Sequence, residues 1–189
     1  MVARSCHYHA QAIRHICHLL STDLTSTLAH SLILTRLDYC NSLLHGSHTS
    51  RIQTLQRVQN NAARIVLQAP RQCHANPLLR QLHWLPVRYR IKYKLVVMTY
   101  KIHSTCLPAH LSHHINPRET TQTLRSSDTL LLTIPFTRTE LAKRAIRCAA
   151  PSVWNSLPSF ITKSGSLTTF KSWLKTYFFH LFFDCSVHV

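Results

Sequence analysis

Glycine is almost missing from this chain: Gly46 and Gly165 are the only ones in 189 residues. A β-sandwich or barrel draws on turn glycines, and a phosphate-cradling loop needs several, so both are disfavoured. Acids are nearly as scarce, with 6 Asp and Glu against 22 Lys and Arg. Asp23, Asp38, Asp128 and Asp184 stand far apart, and no aromatic-X-Asp-Asp string occurs. Two-metal phosphoryl transfer needs closely placed carboxylates, so no catalytic residues of that kind can be assigned. The longest aromatic-rich run, Trp173 to Phe183, is too short and too interrupted to span a bilayer. The opening residues lack the apolar centre of a secretory signal, which predicts an intracellular protein, nuclear or cytoplasmic, with reduced thiols at its 7 cysteines. No cofactor, membrane or small-molecule substrate is expected.

What is present suits a single folded unit. Hydrophobic residues make up 45% of the chain, enough for a real core. The net charge of +16 and a pI near 10.2 imply a polyanionic partner, most simply nucleic acid, or a partner domain that shields the cations.

Helical spacing dominates. Ile13, Ile16 and Leu20 mark a first helix over about 4–20. Ser21 or Thr22 caps a second, with Asp23 in its first turn and a stripe of Leu24, Leu28, Leu32, Thr35, Tyr39 and Leu43 expected to face the core. That helix should end near Gly46. Asp38, Tyr39, Cys40 and Asn41 would then fan around it in steps of about 100° and could not converge on one substrate. Asp38 is expected to pair with Arg36 or Arg51. A third helix follows a Thr49 or Ser50 cap, with Ile52, Leu55, Val58 or Gln59, Ala62, Ile65 and Val66 inward, and Pro70 as its stop. A short helix spans about 77–83, and Pro86 opens a long one with Ile91, Leu95, Met98 and Ile102 inward. Residues 108–128 read as a half-turn of helix and a loop, 129–137 as a strand candidate, and 144–149 as a short helix before a turn. A last helix from Ser164 or Ser166 turns Leu167, Phe170, Leu174, Tyr177, Phe178 and Leu181 inward. The expected fold is mainly α, an irregular multi-helix bundle with at most a small β element near 129–137.

Two basic rows stand out. Arg57 and Arg64 are seven apart on the third helix, and Arg90, Lys94 and Lys101 share a face of the long helix. Tyr89, Tyr93 and Tyr100 flank the second row. Basic and aromatic rows side by side suit backbone tracking of a strand, but these tyrosines are better read as straddling the core boundary with their hydroxyls wet. Cys6, His7, His9, Cys17 and His18, with Cys73 and His74, invite a zinc reading, yet no pair of close pairs has the usual ligand spacing, and no metal is expected.

In order along the chain stand TRLDYCNSLLHG, LQRVQNNAARIV, LHWLPVRYRIKYKLVVMTYK, LPAHLS, LRSSD, APSVWNSLP and FKSWLK. This series, over about Arg4 to Lys175, resembles the region downstream of the polymerase palm in non-LTR (long interspersed element) retrotransposon reverse transcriptases. The resemblance implies a fragment without the catalytic aspartates or endonuclease. Residues 1–70 would be a thumb-like helical segment and 71–189 a C-terminal helical segment packed with it. It further implies an RNA or RNA–DNA hybrid partner and a polymerase palm of the parent element in cis or trans. The residues expected to grip the nucleic acid, Arg57, Arg64, Arg90, Lys94 and Lys101, are read from their shared helix faces away from the core stripes. The chain departs from the family's usual pattern at His45-Gly46-Ser47-His48, where Tyr-Gly-Leu-Pro is customary, and at Lys143-Arg144-Ala145-Ile146. Its 15 histidines and 7 cysteines are in excess. Deamination at methylated CpG turns arginine codons into His and Cys codons, so a decayed copy of such an element is the further expectation, with Cys17 and His18 as examples.

Overall fold

The computed structural model describes residues 2–105, 109–118 and 131–184. Its order is α1 (Val2–Ile16), α2 (Thr22–Ala29), a π-helical turn (His30–Leu34), α3 (Thr35–Asp38), α4 (Thr49–Val66), α5 (Ala75–Gln81), α6 (Val87–Thr105), α7 (Ala109–Ser112), α8 (Glu140–Lys143), α9 (Ile146–Asn155), α10 (Ser159–Thr162) and α11 (Leu167–Phe183). The fold is mainly α, as expected. The chain forms two compact units, one of residues 1–91 with 179–189, the other of 92–178. The divisions fall inside α6 and α11.

The first unit is built on α1 packed against α4. Helix α1 buries Cys6, Ala10 and Ile13, small or compact residues three and four apart that let it lie close. Ile16 and Leu20 were expected inward, but Ile16 is exposed and Leu20 half-buried, because the α-helix ends at Ile16 and a 3₁₀ turn over Cys17–Leu19 follows. Ser21 caps α2, accepting from the Leu24 backbone N–H at 3.4 Å, and Asp23 lies in the first turn as read from sequence.

The core face of α2 and α3 corrects the expected stripe. The buried residues are Thr25, Ala29, Ile33, Leu34, Leu37 and Asn41, one position round from the leucine row. Leu24, Tyr39 and Leu43 are 56%, 81% and 76% exposed, while Leu28 and Leu32 pack on the core edge. Two features explain the shift. The wide turn His30–Leu34 presents both Ile33 and Leu34 inward. The helix also stops at Asp38 rather than near Gly46: Tyr39 is extended and Cys40 takes a left-handed φ of 51° before a 3₁₀ turn, Asn41–Leu44.

Helix α4 follows the sequence reading closely inside, burying Val58, Gln59, Ala62, Ala63, Ile65 and Val66. Its ends differ. His48, not Thr49 or Ser50, caps it, its Nδ1 accepting from the Ser50 N–H. It stops at Val66 through a left-handed Gln68, with the Ala69 N–H bonded to the Arg64 carbonyl at 2.8 Å, before Pro70 is reached. The buried Gln59 is satisfied by donating to the Leu85 carbonyl at 2.8 Å, and Gln56 accepts from the Val87 N–H at 2.9 Å. These two amides tie α4 to the start of α6 and account for the turn at Pro86.

The second unit packs Leu95, Ile102, Cys148, Val153, Trp154, Ile161, Phe170, Leu174 and Phe178 in its interior. Tyr100 stacks on Phe170 at 4.2 Å, and its hydroxyl donates to the Ser164 carbonyl at 3.0 Å. Among the described residues the strand candidate shows one antiparallel bridge, Pro117 to Leu132, with Thr133 to Thr137 irregular. Thr129 and Leu130 lie outside the described residues. Asn155 holds the Leu132 side of the bridge. Its side chain pairs with both the N–H and the C=O of Leu132, at 2.9 and 2.8 Å, doing the work of a neighbouring strand. Helix α9 starts at Ile146 and runs through Pro151 to Asn155, longer than the expected 144–149, with Pro151 buried among apolar neighbours. Ser166 caps α11. Of 108–128, read as a half-turn of helix and a loop, residues 109–118 are described and open with the short helix α7; 108 and 119–128 lie outside the described residues.

Candidate nucleic-acid interface

The expected basic rows divide once their side chains are placed. On α4, Arg57 is exposed, while Arg64 is half-buried and its Nε and Nη2 both donate to the Cys73 carbonyl, at 3.1 and 2.9 Å. Arg64 therefore closes the turn after its own helix. At the start of α6, Arg90 is 15% exposed and forms a fork with Asp38: Nε donates to Oδ1 at 2.8 Å and Nη2 to Oδ2. Asp38 thus pairs with neither Arg36 nor Arg51. Asn41 adds a bond to the same carboxylate, Nδ2 to Oδ1 at 3.1 Å. The helix end lets Asp38 and Asn41 converge on each other, not on open space.

Lys94 and Lys101, in the second unit, are exposed, as is Arg57 in the first. None of the three has an ion-pair partner among the described residues. They can bind a phosphate without first breaking an internal contact. The tyrosines are half-buried. Tyr89 packs edge-on to Phe182, Tyr100 stacks on Phe170, and burial pushes the Tyr93 phenol upward from its ordinary value. The half-buried rings hold the boundary position expected of them, but the Tyr100 hydroxyl, expected to be wet, donates to the Ser164 carbonyl, and no open row of rings is left for base stacking.

Among the described residues no three His, Cys, Asp or Glu side chains meet as a metal site would need. Cys6 is buried, with its thiol directed to the Ile33 carbonyl, and Cys17 donates to the Arg14 carbonyl at 3.2 Å. Sequence reading missed Arg14 and Arg71, which line a hollow on the first unit. The signal available was the spacing of His7, Gln11 and Arg14 on one face of α1, hidden by the attention that Cys and His draw to zinc. Comparison with protein-family models, curated proteins and solved structures returns no match.

Proposed function

We propose that this chain is a non-catalytic nucleic-acid-gripping segment, holding RNA or an RNA–DNA hybrid by its phosphates. It corresponds to the thumb and C-terminal portion of a non-LTR retrotransposon reverse transcriptase, and works with a polymerase palm supplied in cis or trans. The observation that carries this reading is the set of exposed cations, Arg57, Lys94 and Lys101, without an ion-pair partner among the described residues, in a chain of net charge +16. The ordered strings and the helical fold support it. Lysine and arginine on helix surfaces bind by releasing condensed counterions, so affinity should fall steeply with salt. Phosphate contacts set register but carry no sequence information, so little base preference is expected.

The test is anisotropy of labelled RNA and hybrid across a salt series, with the full chain and with Lys94→Ala/Lys101→Ala. The double variant should flatten the log–log salt slope by about 1.4 to 1.8, two phosphates' worth, with helix content unchanged. Equal slopes for parent and variant would sink the assignment of this face. A second reading, a helical module of a decayed element that packs on protein, draws on the exposed Leu24, Tyr39 and Leu43. No binding of either nucleic acid at low salt would favour it.

A further inference from the structure

On the first unit, α1 and α4 border a pocket of about 350 Å³, lined by His7, Ala10, Gln11, Arg14, Asn61 and Arg71. Its volume is near the lower end of small-ligand sites, about 300 to 1,000 Å³, and suits one nucleotide unit better than a length of polymer. Four of the lining residues come from α1 at positions 7, 10, 11 and 14, which share one helix face. Ala10 is buried, and its small side chain leaves the hollow open. Arg14 is held in place: its Nη2 donates to Asn61 Oδ1 at 3.0 Å. The same bond orients the Asn61 amide, leaving its NH₂ as a further donor. Arg71 is exposed on the turn after α4.

The wall is chemically one-sided. Two guanidiniums, an imidazole and two carboxamides line it, and no carboxylate does. The acids of this unit are engaged elsewhere among the described residues: Asp38 with Arg90, Asp184 with Arg80 and His180, and Asp23 in the first turn of α2. Two arginine charges therefore face one hollow with no counter-charge among the described residues. Guanidinium forks match phosphate oxygens two at a time, a geometry that a lysine surface lacks.

We propose that this pocket binds the phosphate ester of a nucleotide, either a strand's terminal phosphate or an internal phosphodiester. The inference deepens the nucleic-acid reading and rests on it for its source of ligand. Arg57, Lys94 and Lys101 supply diffuse attraction; Arg14 and Arg71 supply one defined seat.

The probe is uridine monophosphate, with inorganic phosphate, uridine, and short oligouridylates carrying either a 5′-phosphate or a 5′-hydroxyl. The readouts on the full chain are dissociation constants and the Nε–H resonances of Arg14 and Arg71. Arg71→Gln removes an exposed charge. Gln11→Glu puts a carboxylate in the wall without touching the Arg14–Asn61 bond. Uridine monophosphate should shift both arginine resonances and uridine should not. Each variant should weaken uridine monophosphate about tenfold or more, the scale of one charge-assisted hydrogen bond, with an unchanged circular dichroism spectrum. A gain for the 5′-phosphorylated oligomer over the 5′-hydroxyl one assigns a strand end; equal affinities that both drop in the variants assign a phosphodiester. Unmoved arginine resonances, or variants that bind as the parent does, overturn the site, and salt-dependent RNA binding that persists then leaves the wider reading standing. Mononucleotide binding that needs Arg71, with no oligomer binding, keeps the pocket and removes that wider reading.

Discussion

Asp38 shows how far a residue's role depends on a partner the local sequence cannot reveal. Its carboxylate receives Asn41 from three residues on and Arg90 from 52 residues on. Spacing pointed to Arg36 or Arg51 because only near neighbours can be paired by counting. A forked guanidinium on a half-buried carboxylate is a structural contact, so Arg90→Ala should lower stability by about 1 to 3 kcal/mol in a denaturant melt, less than a fully buried pair would lose because Asp38 keeps some solvent. The RNA salt slope should stay unchanged. Lys94→Ala should do the reverse, leaving the melt alone and reducing the slope by about 0.7 to 0.9. The cysteines give a second check at this scale. Burial raises the Cys6 pKa above its ordinary value of 9.0, with Arg36 pulling the other way. The stability this confers is complete below pH 9.0 and declines as pH rises through the folded value. Cys40 is exposed, and should be alkylated by iodoacetamide well before Cys6 or Cys148, read by peptide mass spectrometry. Simultaneous labelling of Cys6 and Cys40 would contradict the placement of α1.

Helix positions were largely legible, and helix phase was legible only where no irregular turn intervened. For α4 the apolar spacing named the inner face, because an unbroken 3.6-residue repeat carries its phase along the helix; in α11 it named Phe170, Leu174 and Phe178, but Leu181, expected inward, is exposed and Phe183 is buried at that end instead. The leucine row of α2 and α3 misled, since a π turn and an early stop at Cys40 reset the phase and neither leaves a mark in hydrophobic pattern. Leucine marks an apolar face well, but Thr25, Ala29 and Asn41 took the inner positions instead because closely packed helices favour compact side chains. The register has a direct test. Leu37→Ala, at a buried site, should cost about 2 to 5 kcal/mol, and Tyr39→Ala, at an exposed one, less than about 0.5. The opposite order would restore the leucine face as the core. Cys40 sits at φ 51°, a region where side chains are strained by about 1 to 2 kcal/mol. Cys40→Gly should relieve that strain and raise the denaturation midpoint, after the entropy that glycine gives the unfolded chain is offset. Cys40→Val should lower it, because a β-branched residue fits this geometry worst.

Over the whole molecule, charge sets two salt responses of opposite sign. With +16 and only a few internal ion pairs among the described residues, the folded chain repels itself, and bringing the cations together costs free energy that salt reduces. The sequence alone gave this balance; it could not say which cations were already used, since Arg64 and Arg90 differ from Arg57 and Lys94 only in what stands opposite them. Adding salt from about 0.02 to 0.3 M, which shortens the screening length several-fold, should therefore raise the thermal midpoint of the free chain. Over the same range RNA affinity should fall, because the counterions released on binding are less diluted. A short RNA added at low salt should raise the midpoint by neutralising the surface, and that gain should shrink as salt increases until the two melting curves meet. The experiment is one set of melts, with and without RNA, across the salt series. A midpoint that drops with salt in the free chain would mean that favourable ion pairs outweigh repulsion. An RNA shift that does not diminish with salt would mean that binding is carried by contacts other than phosphates, and the exposed lysines would lose the role given to them here.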